Sequence, residues 1–162
     1  MGKVDIGPRW NYQQKDIFTE TEKKVVEAWA YGPCKSEDVA VYLDVLEETA
    51  SHYGNRIRDK MDQGKGSDRN AKAVTLAALK GWIDPMPFPD NLDRNLTKRE
   101  HLILTQRAIG LTREEVSREL KIPESDVAGD LEAMQSLIGC DTDYEVIAWA
   151  IIKVVKDETK TD

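Results

Sequence analysis

The chain has 162 residues, of which 40% are hydrophobic and 33% charged, a composition typical of globular proteins rather than of disordered or fibrous ones. Its formal net charge of −7 disfavours nucleic-acid binding by the whole surface and leaves room only for a local basic face. No apolar run is long enough to span a bilayer and no signal-peptide pattern is present, so no membrane association and a cytoplasmic location are expected.

The residues that most often carry catalysis or metal binding are few and scattered. Cys34 and Cys140 stand alone, without a C-x-x-C or histidine-rich segment, so two reduced thiols are expected rather than a zinc or redox site. His52 and His101 are the only histidines, and neither lies in a nucleophile, metal or phosphate-loop motif. The sequence therefore predicts no enzyme, no metal and no cofactor.

Residues 1–17 show no periodicity and contain two glycines and a proline, which favours an extended arm. Trp10 and Tyr12 are its expected anchors. Such an arm either packs against the domain or reaches a partner, and packing is favoured because large aromatic side chains usually become buried near a core.

Residues 18–84 are predicted to form a first helical unit. Its third helix, over 48–61, places Ala50, Tyr53, Ile57 and Met61 on one face at helical spacing. A polar, glycine-containing segment at 63–68 is typical of a flexible connection, and a fourth helix is predicted over 70–82. Alternate prolines follow, so residues 85–95 are expected to be a stiff, extended linker.

Residues 96–156 are predicted to form a second helical unit. Three Thr-x-x-Glu pairs mark helix starts by the capping-box pattern: Thr97 with Glu100, Thr112 with Glu115, and Thr142 with Glu145. Apolar residues recur at helical spacing between them, and glycines follow two of the predicted helices. The fold class expected for the whole chain is all-α.

The two units align with each other. Thr19, Glu22 and Gly32 meet Thr97, Glu100 and Gly110 at a constant offset of 78 residues, and after one extra residue Val39 and Ile57 meet Val116 and Met134 at an offset of 77. Such a repeat indicates two copies of one structural unit. The alternative is that short amphipathic helices align through composition alone.

The second unit resembles the LuxR, GerE and NarL type of helix-turn-helix, a four-helix family. The matching elements are LT-x-x-E, A-x-G-x-T-x-x-x-V, L-x-I, a valine opening the third helix, and a glycine followed by E-V-I-x-x-A. The first unit matches the family pattern less closely. The resemblance implies two tandem helix-turn-helix units, each with a third helix of the kind that enters the DNA major groove.

By this resemblance, the third helix of the first unit is the predicted DNA-binding element. Its candidate contacts are Thr49, Ser51, His52, Asn55, Arg56, Arg58 and Lys60. Residues 52–80 contain seven lysines and arginines and three acids, a net charge of +4. In the second unit, residues 124–137 carry four acids and no basic residue, which opposes DNA binding and favours a protein partner.

The last predicted helix, from Tyr144 to about residue 156, is apolar on nearly every side and must be covered. In the family that the unit resembles, the fourth helix commonly forms the dimer contact. The expected oligomer interface is therefore Tyr144, Trp149, Ile152 and Val155; alternatively these residues pack on the first unit or the linker. Residues 157–162 are expected to be a frayed tail.

These observations predict a DNA-binding transcriptional regulator that forms a homo-oligomer. The first unit would contact double-stranded DNA and the acidic second unit would serve assembly or a partner. Two other interpretations stay open. One is an interaction protein that uses the helix-turn-helix scaffold to bind and inhibit a transcription protein. The other is a small subunit of a phage DNA-packaging machine.

Overall fold

The computed structural model describes residues 17–160 except Met86, with side chains described as far as Val155. Within these residues the chain forms α-helices and no strand, as the sequence predicts. The helices are α1 (Glu20–Tyr31), α2 (Ser36–Leu43), α3 (Glu47–Lys60), α4 (Arg69–Leu79), α5 (Lys98–Ala108), α6 (Arg113–Leu120), α7 (Glu124–Ile138) and α8 (Asp143–Lys160). The extended arm expected for residues 1–17 lies outside the described residues except for Ile17.

The threonines predicted to start helices do so. Thr19, Thr97 and Thr112 cap α1, α5 and α6, and each forms a complete capping box with the glutamate three residues later. Before α8, the Glu145 amide donates to Thr142 Oγ1 at 3.3 Å and the Thr142 hydroxyl donates to the Glu145 carboxylate at 3.0 Å. These contacts satisfy amides that a helix start leaves without an intrahelical partner.

The two halves repeat the same order of helices and turns. Both α2 and α6 have 8 residues, and each ends at a non-glycine residue in the left-handed conformation, Asp44 with φ 56° and Lys121 with φ 57°. Gly32 and Gly110, the matched glycines after α1 and α5, both have positive φ. The internal repeat read from the sequence is therefore reproduced in backbone conformation at two matched turns.

The two halves pack into one core through their fourth helices. The most extensive contact between helices joins α4 to α8. In addition, the first helix of each half contacts the fourth helix of the other: α1 touches α8, and α5 touches α4. Trp29, Val74, Ile147 and Ile151 are among the buried residues of this shared core. Each half thus covers the apolar face that the other half cannot bury alone.

Buried ion pairs reinforce the contact between the halves. Arg107 donates from Nη1 to Asp68, the N-cap of α4, at 2.7 Å and from Nε to Asp143 at 3.0 Å. Asp143 also accepts from Arg113 and from Gln135. Burial alone would raise the pKa of Asp143, but the hydrogen bond from Arg113 and the charges of both arginines hold that pKa below its ordinary value.

The segment at 63–68 precedes α4, and the sequence predicts it to be a flexible connection. In the structure this segment is docked on the second half. The Asp68 amide donates to the Gly110 carbonyl at 2.8 Å, and the amide and hydroxyl of Ser67 both donate to Glu115. Gly66 has φ +90°, and a Cβ at that position would lie 2.3 Å from the Gly110 oxygen. Periodicity cannot reveal this docking because every partner is about 40 or more residues away.

Two helix ends differ from the sequence prediction. A frayed tail is predicted from residue 157, but the last helix continues to Lys160. It can do so because the polar residues at 157–160 include no helix breaker. The fourth helix ends at Leu79 rather than at Trp82, and Gly81 after it has φ +76°. Among the described residues, no helix combines the length and the apolar character needed to cross a membrane.

Candidate interaction surfaces

The seven residues predicted to contact DNA all lie on α3, but they are not equally available. His52, Asn55 and Arg56 are exposed, whereas Thr49, Ser51, Arg58 and Lys60 are half-buried. The predicted inner face is confirmed, since Ala50, Ile57 and Met61 are buried and Tyr53 is half-buried. The position of the helix face was therefore predictable, while the availability of its cations was not.

The basic residues of α3 are engaged within the chain. Lys60 donates from Nζ to the Glu22 carboxylate at 2.6 Å and to the Ile17 carbonyl at 2.7 Å. Arg56 Nε lies 3.6 Å from the other oxygen of Glu22. Glu22 is the capping glutamate of α1, and its side chain is 0% exposed. Lys60 therefore neutralises a buried carboxylate, although the family resemblance implies a contact with the DNA backbone.

The electrostatics of Glu22 agree with this role. Burial alone would raise its pKa, but the hydrogen bonds from Lys60 and from the Thr19 amide, together with the two positive charges, hold that pKa below its ordinary value. Glu22 is thus a buried anion at neutral pH. A cation that left it to bind a phosphate would leave a buried carboxylate with less compensation.

Arg58 is also held in place by its neighbours. Its guanidinium donates to Asn55 at 2.7 Å and to Asn70 at 3.4 Å, and it lies 5.8 Å from the centre of the Trp29 ring. A Cβ added at Gly54 would lie 3.2 Å from Nη2 of this guanidinium. The close neighbour is a flexible side chain.

Two further lysines of the basic stretch at 52–80 are engaged within the chain. Lys72 is 2% exposed; its stem packs against Gly110 and its ammonium donates to the Gln63 carbonyl. Burial lowers the pKa of Lys72 despite the nearby acids. Lys65 pairs with Glu119 of the second half. Part of the net charge of +4 at 52–80 therefore belongs to lysines that contact the second half.

The most exposed apolar side chains lie where α2 turns into α3. Val41 is 83% exposed and Leu46 is 74% exposed, with Tyr42 and Val45 beside them in sequence and also exposed. We call these four residues the corner patch. Val41 and Leu46 project into solvent, while Tyr42 and Val45 are partly covered by their neighbours. Isolated exposed apolar residues are ordinary, but a cluster of them with polar surroundings is typical of a contact surface.

Carboxylates surround the corner patch. Residues 36–48 contain five acidic residues and no basic one: Glu37, Asp38, Asp44, Glu47 and Glu48. All five are exposed, and no described residue forms an ion pair with them. The start of α3, which should approach DNA in a helix-turn-helix, is thus both apolar and negative. Sequence reasoning missed this surface because it followed the basic end of the helix.

The acidic helix of the second unit is partly neutralised. Arg99 donates from Nε and Nη2 to the Asp130 carboxylate at 2.7 and 2.9 Å, and from Nη1 to Asp126 at 3.3 Å. Glu124 and Glu132 are exposed. The protein-partner surface predicted at 124–137 therefore retains less unbalanced charge than the formal −4 suggests, and less than the corner at 36–48.

The residues predicted to form an oligomer interface are largely covered within the chain. Trp149 is 5% exposed, and its indole N–H donates to the Pro89 carbonyl of the linker at 3.1 Å. The Tyr144 hydroxyl donates to Asp68 at 3.0 Å. Ile152 and Val155 are half-buried against the core. The sequence left open that these residues pack on the first unit or the linker instead of on a second copy of the chain. Trp149 and Tyr144 make such contacts, with the linker and with the start of α4.

The two cysteines lie in surroundings that do not activate a thiol. Both cysteines are reduced and half-buried, and burial raises the pKa of each thiol to about 12, which makes them poor nucleophiles. Among the described residues, no group of three or more histidine, cysteine or acidic side chains could hold a metal ion.

Searches against protein-family models, curated proteins and solved structures found no match to this chain.

Proposed function

We propose that this protein is an interaction module that binds a basic protein surface through the corner patch. The observation that carries the proposal is the pairing of exposed Val41 and Leu46 with five unneutralised carboxylates at 36–48. An apolar centre with a charged rim is the usual anatomy of a protein interface. The negative rim selects a positively charged partner and speeds the encounter with it.

The family resemblance suggests what kind of protein that partner is. A helix-turn-helix scaffold whose recognition end is negative and apolar can face the basic DNA-binding surface of a transcription protein. The chain would then act as an inhibitor or anti-activator, occupying that surface in place of DNA. The intramolecular pairing of Lys60 with Glu22 supports this function over direct DNA binding.

The test is capture of partners from native extract by three forms of the immobilised chain, with nuclease present throughout. The first is the wild type, the second carries Val41→Lys and Leu46→Lys, and the third carries Leu102→Lys. Leu102 is a matched control because it is a 46% exposed apolar residue in the second half. We expect a basic protein to be retained by the wild type and the control and to be lost from the double variant. Equal retention by all three forms contradicts the proposal.

A second candidate function is binding of duplex DNA by α3. It is favoured by the exposure of His52, Asn55 and Arg56 on one helix, since their side chains can donate to base edges. Gel shifts with selected duplexes test this candidate. Loss of a shifted band on Asn55→Ala and Arg56→Ala, with no loss on Val41→Lys, would favour DNA over a protein partner.

A further inference from the structure

A partly open cavity of about 190 Å³ lies between the linker, α5 and α8, away from the corner patch. Its apolar walls include Leu92, Leu96, Leu104 and Val154, and the Trp149 side chain also lines it. Polar groups converge on the same space: Asn91, Arg94, Asn95, His101 and Lys153. An apolar cavity with a few polar groups is the usual form of a small-molecule site.

The charge of the lining is opposite to that of the whole chain. Among the described residues that line the cavity there is no aspartate or glutamate, while Arg94 and Lys153 are both present. Arg94 is compensated, since its two Nη atoms donate to the buried Glu100 carboxylate at 2.7 and 2.8 Å. The charge available to a ligand is therefore that of Lys153.

Lys153 is placed to receive an anion. Its Nζ donates to the Asp90 carbonyl at 2.8 Å and lies 5.7 Å from the centre of the Trp149 ring. Both neighbours are uncharged, and the bond to the carbonyl uses only one of the three N–H donors of an ammonium group. The ring and the carbonyl hold the amine at the cavity without cancelling its charge.

We propose that this cavity binds a small organic anion with an apolar body, of the aryl or short alkyl carboxylate class. The carboxylate would accept hydrogen bonds from Lys153, and the apolar part would lie against Leu104 and Trp149. The volume of about 190 Å³ suits a small ligand, because sites for drug-sized ligands enclose ~300 to 1,000 Å³. The residues that line this cavity do not include any residue of the corner patch.

The experiment uses the full chain labelled with ¹⁵N and three probes that share one apolar body: 3-phenylpropionate, 3-phenylpropanol and 3-phenylpropylamine. The indole N–H resonance of Trp149 is the reporter, because that group donates to Pro89 beside the cavity. We expect a saturable shift with the carboxylate, a weaker one with the alcohol and none with the amine. An equal response to the amine, or no response to the carboxylate, overturns the proposal.

A lysine substitution then locates the anion. Lys153→Met keeps the apolar stem and should weaken binding of the carboxylate about tenfold, the change expected from losing one charge-assisted hydrogen bond. Lys23→Met is the matched control, since Lys23 Nζ also lies over a tryptophan ring, 4.5 Å from that of Trp82 in the first half. Unchanged affinity in Lys153→Met, or equal loss in both variants, contradicts the assignment.

Discussion

Arg107 and Asp68 join the two halves of the chain through an ion pair of 2.7 Å in which both side chains are nearly buried. Asp68 caps α4 and accepts from the Tyr144 hydroxyl, while Arg107 also binds Asp143 at the start of α8. The pair therefore connects the start of one fourth helix to the start of the other. Together with the packing of α4 on α8, it makes the two sequence repeats one structural body.

Breaking this pair should destabilise the whole chain. Asp68→Asn keeps a side chain able to cap α4 but removes the negative charge facing Arg107. We expect a loss of about 2 kcal/mol in the free energy of unfolding, less than the ~3 to 5 kcal/mol for a fully isolated buried charge because Asp143 remains. Urea denaturation followed by circular dichroism measures it, and a single transition is expected because the halves share one core.

Asp130→Asn is the control for that measurement. It breaks the pair between Asp130 and Arg99, whose side chain is half-exposed, and should cost under ~1 kcal/mol. If the two variants lose equal stability, the ion pair between Arg107 and Asp68 does not stabilise the contact between the halves. If the wild type itself unfolds in two separate steps, the halves do not share one cooperative core.

Stability should fall in acid through Asp143. Its folded-state pKa is lowered below the ordinary value of 3.8, so it stabilises the fold at pH values above 3.8. That contribution is lost as the pH falls below 3.8 and through the folded-state pKa. Urea unfolding of the wild type and Asp143→Asn between pH 2.5 and 7 should therefore show a difference that shrinks in acid. A difference independent of pH would contradict this role.

Gly66 should be the least replaceable glycine of the docked segment. An alanine there would place its Cβ 2.3 Å from the Gly110 oxygen, which is backbone and cannot move aside cheaply, at a φ of +90°. We expect Gly66→Ala to lower the free energy of unfolding by ~2 kcal/mol or more. The control is Gly129→Ala inside α7, where a Cβ meets nothing and the helix should gain up to ~1 kcal/mol. Opposite signs are expected, and equal effects would exclude docking of the segment in solution.

Lys60 should behave as a structural residue. Lys60→Met removes the cation from the buried Glu22 carboxylate and should destabilise the fold by about 2 kcal/mol, as measured by urea denaturation. Glu22→Gln in the same background should restore part of the loss, because the uncompensated charge is then gone. If Lys60→Met leaves stability unchanged but abolishes binding of DNA, the residue belongs to a DNA-binding face.

Local features of this fold could be read from the sequence, and contacts between distant segments could not. Capping boxes such as Thr97 with Glu100 depend on residues three apart, and the inner face of α3 follows from helical spacing. The docking of Gly66 on Gly110 and the pairing of Lys60 with Glu22 depend on tertiary structure. These distant contacts also changed the candidate site, because they engage cations that the family resemblance and the local positive charge had assigned to DNA.

The sequence contained evidence for the corner patch that the analysis of helical spacing did not use. Val45 matches Ile122 at the same offset of 77 residues, yet Val45 is 37% exposed whereas Ile122 is half-buried. In the repeat, Val41 and Leu46 do not match any buried apolar residue of the second unit. Residues 36–48 contain five acidic residues and no basic one. Together with the apolar residues between them, these acids indicate a surface for a basic partner.

The most direct test of the proposed function is methyl NMR of the full chain with defined probes. The probes are an amphipathic helical peptide of leucine and lysine, its leucine and glutamate counterpart, and a random-sequence DNA duplex. We expect the methyl resonances of Val41, Val45 and Leu46 to shift with the lysine peptide alone. The shift of Val45, whose methyl groups the Val41→Lys, Leu46→Lys double variant keeps, should disappear in that variant but not in Leu102→Lys. Shifts of the backbone amide resonances of His52 and Asn55 on adding DNA, recorded on the same chain labelled with ¹⁵N, with the corner patch unmoved by either peptide, would contradict the account.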